Sequence, residues 1–172
     1  MNIELLEANA AATDLVTATI ETPLGEMRVT ASERGIRSLE FIEDDSSHWS
    51  DSGMHPHLEM LRDELARYFA GELHEFSVPL EARGTHFRER VWAELRRIPY
   101  GSTISYVELA RRIGHPGASR AVGGANGANP ICIVIPCHRV VAADGSLGGY
   151  SAGLRRKERL LSLELTGKLP AA

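Results

Sequence analysis

The sequence lacks the features that mark exported and membrane-spanning proteins. Its 172 residues include two cysteines, Cys132 and Cys137, and residues 1–20 contain no Lys or Arg. A signal peptide begins with basic residues, a disulfide framework needs more cysteines than these, and a transmembrane helix needs an apolar run of about 20 residues, which is also missing. These absences predict a cytoplasmic protein that has free thiols and no contact with a membrane.

Cysteine is also absent before Cys132, which argues against a zinc site in the first half of the chain. His48, His55 and His57 lie in or at the end of the acidic segment 43–57, but their spacing fits no compact pattern of metal ligands. Solvated histidines of a surface loop are the simpler interpretation. We therefore predict no metal and no cofactor.

Charge is distributed unevenly along the chain. Residues 1–86 contain 6 Arg and 17 acidic residues, a net charge of −11, whereas residues 87–172 contain 13 basic and 6 acidic residues, a net charge of +7. A basic half of this kind favours contact with a polyanion such as a nucleic acid. The alternative is that the basic side chains only keep helix surfaces soluble.

The first half predicts a small α/β domain over residues 15–84, preceded by a flexible tail over residues 1–14. Short runs rich in β-branched residues alternate with turn compositions, which is typical of an antiparallel meander. An apolar repeat of helical period then predicts one helix, which ends before Gly71. The predicted strands are 16–21, 26–31, 36–41 and 76–80, the helix is 58–70, and the segment 43–57 is a surface loop.

The second half predicts a mostly helical domain over residues 85–172, after a linker-like segment at 81–84. Thr85 is a suitable N-cap for its first helix. A tight turn over residues 114–117 separates the second helix from the third, which is the helix-turn-helix outline. Other helical pairs share this outline, so it does not establish DNA binding alone. The predicted helices are 85–97, 102–113, 118–126 and 154–165.

The third of these helices is made almost entirely of small residues. Gly123 and Gly124 lie in its interior, where a glycine costs about 1 kcal/mol relative to alanine. That cost indicates close approach by another surface, which is either another helix of the same domain or the wall of a narrow groove in a partner. Arg120 lies at the start of the helix, where a positive charge gains nothing from the helix dipole, and this placement favours a functional arginine.

The most hydrophobic run of the chain, Ile131–Ile135, lies between Pro130 and Pro136. Its β-branched residues predict a fully buried strand or extended core segment that runs straight and stops sharply. Cys137 follows the stop, beside His138 and Arg139. A thiol next to two potential cations is either a reactive group with a lowered pKa or a small buried hydrophobic residue. Cys132, inside the run, is predicted to be a core residue.

Several motifs of the second half together resemble the O6-alkylguanine-DNA alkyltransferase family. Pro-Cys-His-Arg at 136–139, with Arg-Ala-Val-Gly-Gly-Ala upstream at 120–125, carries most of the resemblance. It extends over about residues 87–166, and over the first half it is looser, resting on 21–25 and on Tyr-Phe-Ala-Gly at 68–71. The remaining matching stretches are 100–106, 129–130, 149–151 and 157–161.

The resemblance implies a reaction in which an alkylated guanine is flipped out of DNA and its alkyl group passes irreversibly to Cys137. In this scheme His138 takes the thiol proton through a water, Glu164 orients His138, and Asn129 fixes the active-site turn. Glu164 also shares the apolar face of its predicted helix with Leu160 and Leu161. A carboxylate there is expensive unless it is paired, which independently supports a role for Glu164; the alternative is that its position near the helix end lets it reach water.

The resemblance also implies which residues contact the nucleic acid. Tyr106 donates a hydrogen bond to the base, Arg120 fills the gap that the flipped nucleotide leaves, and Tyr150 and Ser151 line the base pocket. The glycines of the third helix, Gly123 and Gly124, allow close entry into the minor groove.

The predicted function is therefore DNA repair by one-time transfer of an alkyl group from O6-alkylguanine, and from O4-alkylthymine, in double-stranded DNA to Cys137 of a monomer. Two other functions are possible for a chain with these motifs. An alkyltransferase-like damage-binding module lacks the reactive cysteine, so Cys137 argues against it. A helix-turn-helix transcription factor reads bases with side chains, which the third helix lacks.

Overall fold

The computed structural model of the chain describes residues 15–43 and 53–171, and it begins with a three-stranded antiparallel sheet. The strands are β1 (Val16–Ile20), β2 (Met27–Ser32) and β3 (Gly35–Phe41), in that order across the sheet. These bounds confirm the predicted meander to within a residue or two. The predicted tail and His48 lie outside the described residues.

Helix α1 (Pro56–Phe69) follows the sheet and begins two residues earlier than predicted. Pro56 occupies the first helical position, where a missing N–H costs nothing, and the His55 side chain accepts a hydrogen bond from the His57 amide at 3.2 Å. The His57 ring in turn lies 3.1 Å from the Ser32 carbonyl. These two histidines are therefore half-buried and hydrogen-bonded, whereas the sequence had predicted solvated loop residues.

The strand predicted over residues 76–80 is wrong. The backbone amides of residues 77 and 78 donate hydrogen bonds to the carboxylate of Glu64, at 2.9 and 3.1 Å, instead of to a neighbouring strand. Pro79 has no amide to donate, and a single bridge between Leu80 and Ile36 is all the pairing that this segment makes among the described residues.

Four helices dominate the second half: α2 (His86–Leu95), α3 (Tyr106–Arg112), α4 (Ser119–Gly127) and α5 (Leu154–Thr166). The Thr85 hydroxyl caps α2 by accepting from the Arg88 amide, as predicted. Helices α2, α3 and α4 pack together, and the Trp92 indole of α2 donates to the Ala125 carbonyl of α4 at 2.9 Å.

Helix α3 starts later than the predicted 102–103. Residues 104 and 105 form a short strand, β4 (Ile104–Ser105), that pairs in parallel with β5 (Val140–Val141). Ser105 then caps the helix by accepting from the Glu108 amide at 3.1 Å. The pairing fixes the start of α3 beside the chain that follows Cys137.

The prediction for residues 131–135 is correct in burial and wrong in shape. Every residue from 131 to 140 is buried, but Ile133 has a φ of +71° and the Ile135 amide donates back to the Ile131 carbonyl at 3.0 Å. Leu39 pairs with this segment at its start, where Cys132 donates to the Leu39 carbonyl. Buried backbone groups need hydrogen-bond partners. After Cys132 the segment turns back on itself, and its backbone groups hydrogen-bond within the segment.

Helix α5 packs against both halves of the chain. The Arg156 side chain donates to the Leu24 carbonyl at 3.0 Å and its guanidinium lies 4.4 Å from the centre of the Phe41 ring. The other end of α5 reaches α1, where the Tyr68 hydroxyl donates to Glu164 at 2.8 Å. No helix in the described ranges is long and apolar enough to span a membrane.

Candidate active site

Cys137 begins a short 3-10 turn, Cys137–Arg139, at the end of the buried loop, and its side chain is almost fully enclosed. Asn129 holds this loop from inside. Its amide nitrogen donates to the Ile135 carbonyl at 2.8 Å and to the Cys137 sulfur at 3.1 Å, while its oxygen accepts from the Ile131 amide at 3.0 Å. One side chain therefore ties both ends of the loop together and directs a donor at the sulfur.

The thiol of Cys137 has a lowered pKa. The largest cause is a hydrogen bond from the Cys132 thiol; burial acts in the opposite direction, and the Asn129 amide and the charge of Lys157 lower the pKa further. The pKa of Cys132 is raised by its hydrogen bond to Cys137 and by burial. The pair therefore favours a thiolate on Cys137 and a proton on Cys132. Cys132 is a core residue, as predicted, but its thiol also forms a hydrogen bond with the candidate nucleophile, Cys137.

His138, the residue after Cys137, forms a buried pair with Glu164 of α5. The Nε2 atom of His138 lies 2.7 Å from Oε1 of Glu164, and both side chains are fully enclosed. A carboxylate can only accept, so Nε2 carries the proton and Nδ1 keeps its lone pair. Burial lowers the pKa of His138, although Glu164 raises it. A neutral imidazole with an available Nδ1 is the form that can take up a proton.

Four further hydrogen bonds hold the Glu164 carboxylate. Arg139 donates through two nitrogens at 2.9 Å each, the Tyr68 hydroxyl donates at 2.8 Å, and the Gly101 amide donates at 3.1 Å. Burial raises the pKa of this carboxyl, but His138 and Arg139 lower it to about 2. Of the two possibilities for Glu164, a paired carboxylate or one that reaches water, the structure shows the paired one. The sequence did not identify Arg139 or Tyr68 as partners, because their separation from Glu164 along the chain leaves no local signal.

A cavity of about 150 Å³ opens at Cys137. Four residues predicted for substrate contact line it, namely Tyr106, Gly123, Tyr150 and Ser151, together with Asn126, Gly127 and Gly149. Larger cavities of about 550 and 450 Å³ occur elsewhere, but Cys137 does not line them. The small cavity is the candidate site because, of these three cavities, it is the one that Cys137 lines.

Tyr106, the first residue of α3, forms one wall of this cavity. Its ring lies between Gly123 and Gly148, where added Cβ atoms would come within 3.8 and 2.9 Å of it, and its hydroxyl donates to the Gly149 carbonyl at 3.3 Å. Gly148 also has a left-handed φ of +66°. Glycine at 148 is therefore required both by the turn and by the tyrosine ring.

Two further polar residues, to which the sequence had assigned no hydrogen-bonding role, also support the cavity. Asn126 is buried, and its amide nitrogen donates to the Cys137 carbonyl at 3.3 Å. Lys157 is completely buried and its ammonium donates to the carbonyls of Val140, Leu147 and Gly149, with burial lowering its pKa to about 8. Lys157 thus fixes the loop that ends at the pocket wall.

Helix α4 presents an open glycine face. A Cβ atom added at Gly124 or Gly127 would meet nothing within 4 Å in the described structure, so packing between helices does not account for these glycines. Of the two surfaces considered from the sequence, an external one is favoured. Arg120 is exposed at the start of the same helix and makes no hydrogen bond or ion pair with any described residue. Gly124 does not line the cavity at Cys137.

Both halves of the chain match known protein families. Residues 15–82 match the family described as 6-O-methylguanine DNA methyltransferase, ribonuclease-like domain, and residues 86–166 match its DNA binding domain. The methylated-DNA–protein-cysteine methyltransferase of Mycobacterium bovis is 48% identical over 151 residues, which cover 85% of this chain and 90% of that protein. The protein of the same name from Methanosarcina acetivorans is 44% identical over 150 residues, with coverages of 86% and 96%.

Solved structures give the same result. The crystal structure of Mycobacterium tuberculosis OGT in complex with DNA is 47% identical, covers 87% of this chain and 92% of its own, and superposes with a TM-score of 0.78. That of Mycobacterium tuberculosis O6-methylguanine methyltransferase is 44% identical, with coverages of 92% and 96% and a TM-score of 0.80. The predicted resemblance and the predicted fold class, an α/β first part followed by a mostly helical second part, are confirmed. The chain therefore belongs to the O6-methylguanine DNA methyltransferase family and is a DNA-repair methyltransferase of the methylated-DNA–protein-cysteine type.

Proposed function

We propose that this protein repairs O6-alkylguanine in double-stranded DNA by moving the alkyl group irreversibly onto Cys137, once per molecule. The single observation that carries the proposal is the position of the Cys137 sulfur. Cys137 lines a small cavity together with Tyr106, Tyr150 and Ser151. The next residue in the chain, His138, is hydrogen-bonded to Glu164.

The proposed reaction starts with loss of the Cys137 proton. His138 accepts it at Nδ1 through a water, and Glu164 stabilises the imidazolium that forms. The sulfur then attacks the alkyl carbon in line with the carbon–oxygen bond, forming a C–S bond while the bonding electrons pass to O6. The base recovers a proton as it leaves, so the proton lost by the thiol balances the one gained. Regenerating the thiol would require the thiolate of Cys137 to leave the alkyl carbon of the thioether product, and a thiolate is a poor leaving group there, so the protein acts once.

The DNA side of the proposal assigns the flipped base to the cavity and α4 to the minor groove. Extruding a base costs a few kcal/mol, and Arg120 offsets part of this by filling the vacated space. When the base enters, the Tyr106 hydroxyl turns its proton from the Gly149 carbonyl to the base, and Ser151 lies near the O6 atom of the base. Gly123 and Gly124 let the helix backbone approach the groove walls. Binding is then largely electrostatic and weakens as salt is added.

Three narrower points belong to the same proposal. O4-alkylthymine carries the same type of alkyl–oxygen bond and is a second substrate. The protein acts as a monomer, because one chain holds the nucleophile, the base and the pocket. It works in the cytoplasm, as predicted from its free thiols, and needs no metal or cofactor for the transfer.

Peptide mapping tests the transfer. The wild type, Cys137→Ala and Cys132→Ala proteins are each incubated with a duplex containing one O6-methylguanine, digested and analysed by mass spectrometry. We expect one added methyl group on the Cys137 peptide of the wild type and of Cys132→Ala, and none on Cys137→Ala. Absence of transfer in the wild type, or equal transfer in Cys137→Ala, would contradict the proposal.

A further inference from the structure

The candidate site in the second half of the chain takes one of its hydrogen bonds from the first half. Tyr68, near the end of α1, is completely buried, and its hydroxyl lies 2.8 Å from Oε1 of Glu164. Its ring is held by edge or tilted contacts with Phe69, Phe76 and Tyr100, at centroid distances of 5.4, 5.3 and 6.0 Å. The hydroxyl position is therefore set by packing.

Tyr68 donates to the same carboxylate oxygen that holds His138. Oε1 of Glu164 accepts from the Tyr68 hydroxyl and lies 2.7 Å from His138 Nε2, and it also accepts from Arg139 Nη2 at 2.9 Å. A hydrogen bond to a carboxylate stabilises its negative charge, and donors on one oxygen share that charge, so each weakens the bonds that the others make. A hydrogen bond from Tyr68 thereby limits how strongly Glu164 attracts the proton on Nε2.

We propose that Tyr68 is a positioning residue for the transfer reaction, through which the first half of the chain holds Glu164 and sets the basicity of His138. The inference rests on the proposed function, in which His138 is the base. Under this proposal the first half of the chain contributes a hydrogen bond to the active site, since Tyr68 belongs to helix α1, which packs on the β1–β3 sheet.

The other charged and titratable groups around His138 come from three elements. Arg139 follows it in the 3-10 turn, Lys157 and Glu164 lie on α5, and Tyr100, in the turn after α2, lies close to Glu164. Glu164 raises the pKa of His138, whereas Arg139 and Lys157 lower it. None of these groups is removed by a change at Tyr68, and the site is enclosed, so loss of one hydroxyl is felt at His138.

The direction of the effect follows from the shared oxygen. Tyr68→Phe removes one hydrogen-bond donor from Oε1. Because Glu164 then binds the Nε2 proton of His138 more strongly, the imidazolium form of His138 is favoured over the neutral imidazole. The pKa of His138 therefore rises, and less neutral base is present at acidic pH. A hydrogen bond to a charged group is strong enough to move the acidic limb of the rate profile upward by about half a pH unit or more, or about threefold in rate on that limb.

The test measures single-turnover methyl transfer to Cys137 across the acidic limb, together with an NMR titration of His138, in wild type, Tyr68→Phe and Tyr100→Phe. Tyr100 is the matched control, because it also loses a hydroxyl near Glu164 but donates to the Leu163 carbonyl at 3.4 Å and not to the carboxylate. In Tyr68→Phe we expect a higher pH midpoint both in the rate profile and in the NMR titration of His138, whereas in Tyr100→Phe both midpoints should stay unchanged. The plateau rate of Tyr68→Phe should stay within about twofold of the wild-type rate.

A uniform loss of rate at every pH with an unchanged His138 midpoint would overturn the inference, as would the same shift in Tyr100→Phe. Should Tyr68→Phe fail to fold, 3-fluorotyrosine at position 68 gives a stronger donor, and the His138 midpoint must then fall. The NMR titration needs no substrate, so it tests Tyr68 even if the wild type transfers no methyl group, an outcome that would contradict the proposed function instead.

Discussion

Glu164 provides a quantitative test of how the site is held together. Its folded pKa of about 2 lies below the ordinary value of 4.5, and this difference corresponds to about 3 kcal/mol of unfolding free energy. Because the folded value is the lower one, this contribution is present above the unfolded pKa and is lost as pH falls through the folded pKa. Wild-type stability should therefore decline from about pH 5 toward pH 2.

Glu164→Gln removes this decline and lowers stability at neutral pH. The amide keeps the size of the side chain but takes the negative charge from Arg139, which is buried. Breaking a buried ion pair on one side costs about 3–5 kcal/mol. Urea unfolding followed by tryptophan fluorescence at a series of pH values measures both effects, and the variant should give a flatter dependence of unfolding free energy on pH than the wild type.

Glu108 is the matched control for this experiment. Its pKa is also lowered to about 2, by hydrogen bonds from Arg111 and Arg112, but this ion-pair cluster lies on the surface, where water and salt screen it. Glu108→Gln should therefore change stability little in moderate salt. Parallel pH dependences for wild type and Glu164→Gln, or an equally large effect of Glu108→Gln, would refute the reasoning.

Four further predictions concern the loop, the pocket wall and the DNA face. Asn129→Ala removes the donor to the Cys137 sulfur, so the pH midpoint for alkylation of Cys137 by iodoacetamide should rise; an unchanged midpoint would contradict that contact. Lys157→Met removes the ammonium that donates to three carbonyls, of which the Val140 carbonyl belongs to a buried residue, and should lower the unfolding free energy by about 2–4 kcal/mol in urea titrations; an unchanged unfolding free energy would show that these hydrogen bonds do not stabilise the fold. Arg120→Ala should reduce transfer from duplex DNA more than transfer from free O6-methylguanine base, and equal losses would count against its role as a wedge. Gly124→Ala should preserve or raise the melting temperature while weakening duplex binding in a fluorescence-anisotropy titration, whereas unchanged affinity would exclude close contact there.

Local features of the sequence were sufficient to predict much of the fold. Thr85 was recognised as a helix cap from residue type alone, and the β1–β3 meander from alternation and turn composition. The segment 131–135 was mistaken for an extended one because an apolar run shows that residues are buried but not whether the backbone between them turns. The domain limits at 1–14, 15–84 and 85–172 stay a prediction.

The candidate site was predictable where its residues are neighbours in the chain or lie on one helix face. Cys137 and His138 are adjacent, and Glu164 was noticed as a carboxylate on an apolar stripe. Tyr68 and Lys157 were not identified, because Tyr68 looks like any core aromatic of α1 and Lys157 like any surface lysine of α5. Their partners are set by packing between distant segments, which a single sequence does not reveal.

Stoichiometry tests the central claim most directly. A duplex carrying O6-methylguanine with a radiolabelled methyl group is supplied in excess, and the label bound to protein is followed to completion. The proposed function predicts a plateau at one methyl group per chain, with all label on the Cys137 peptide. Continued turnover beyond one equivalent, or label that persists in Cys137→Ala, would contradict it.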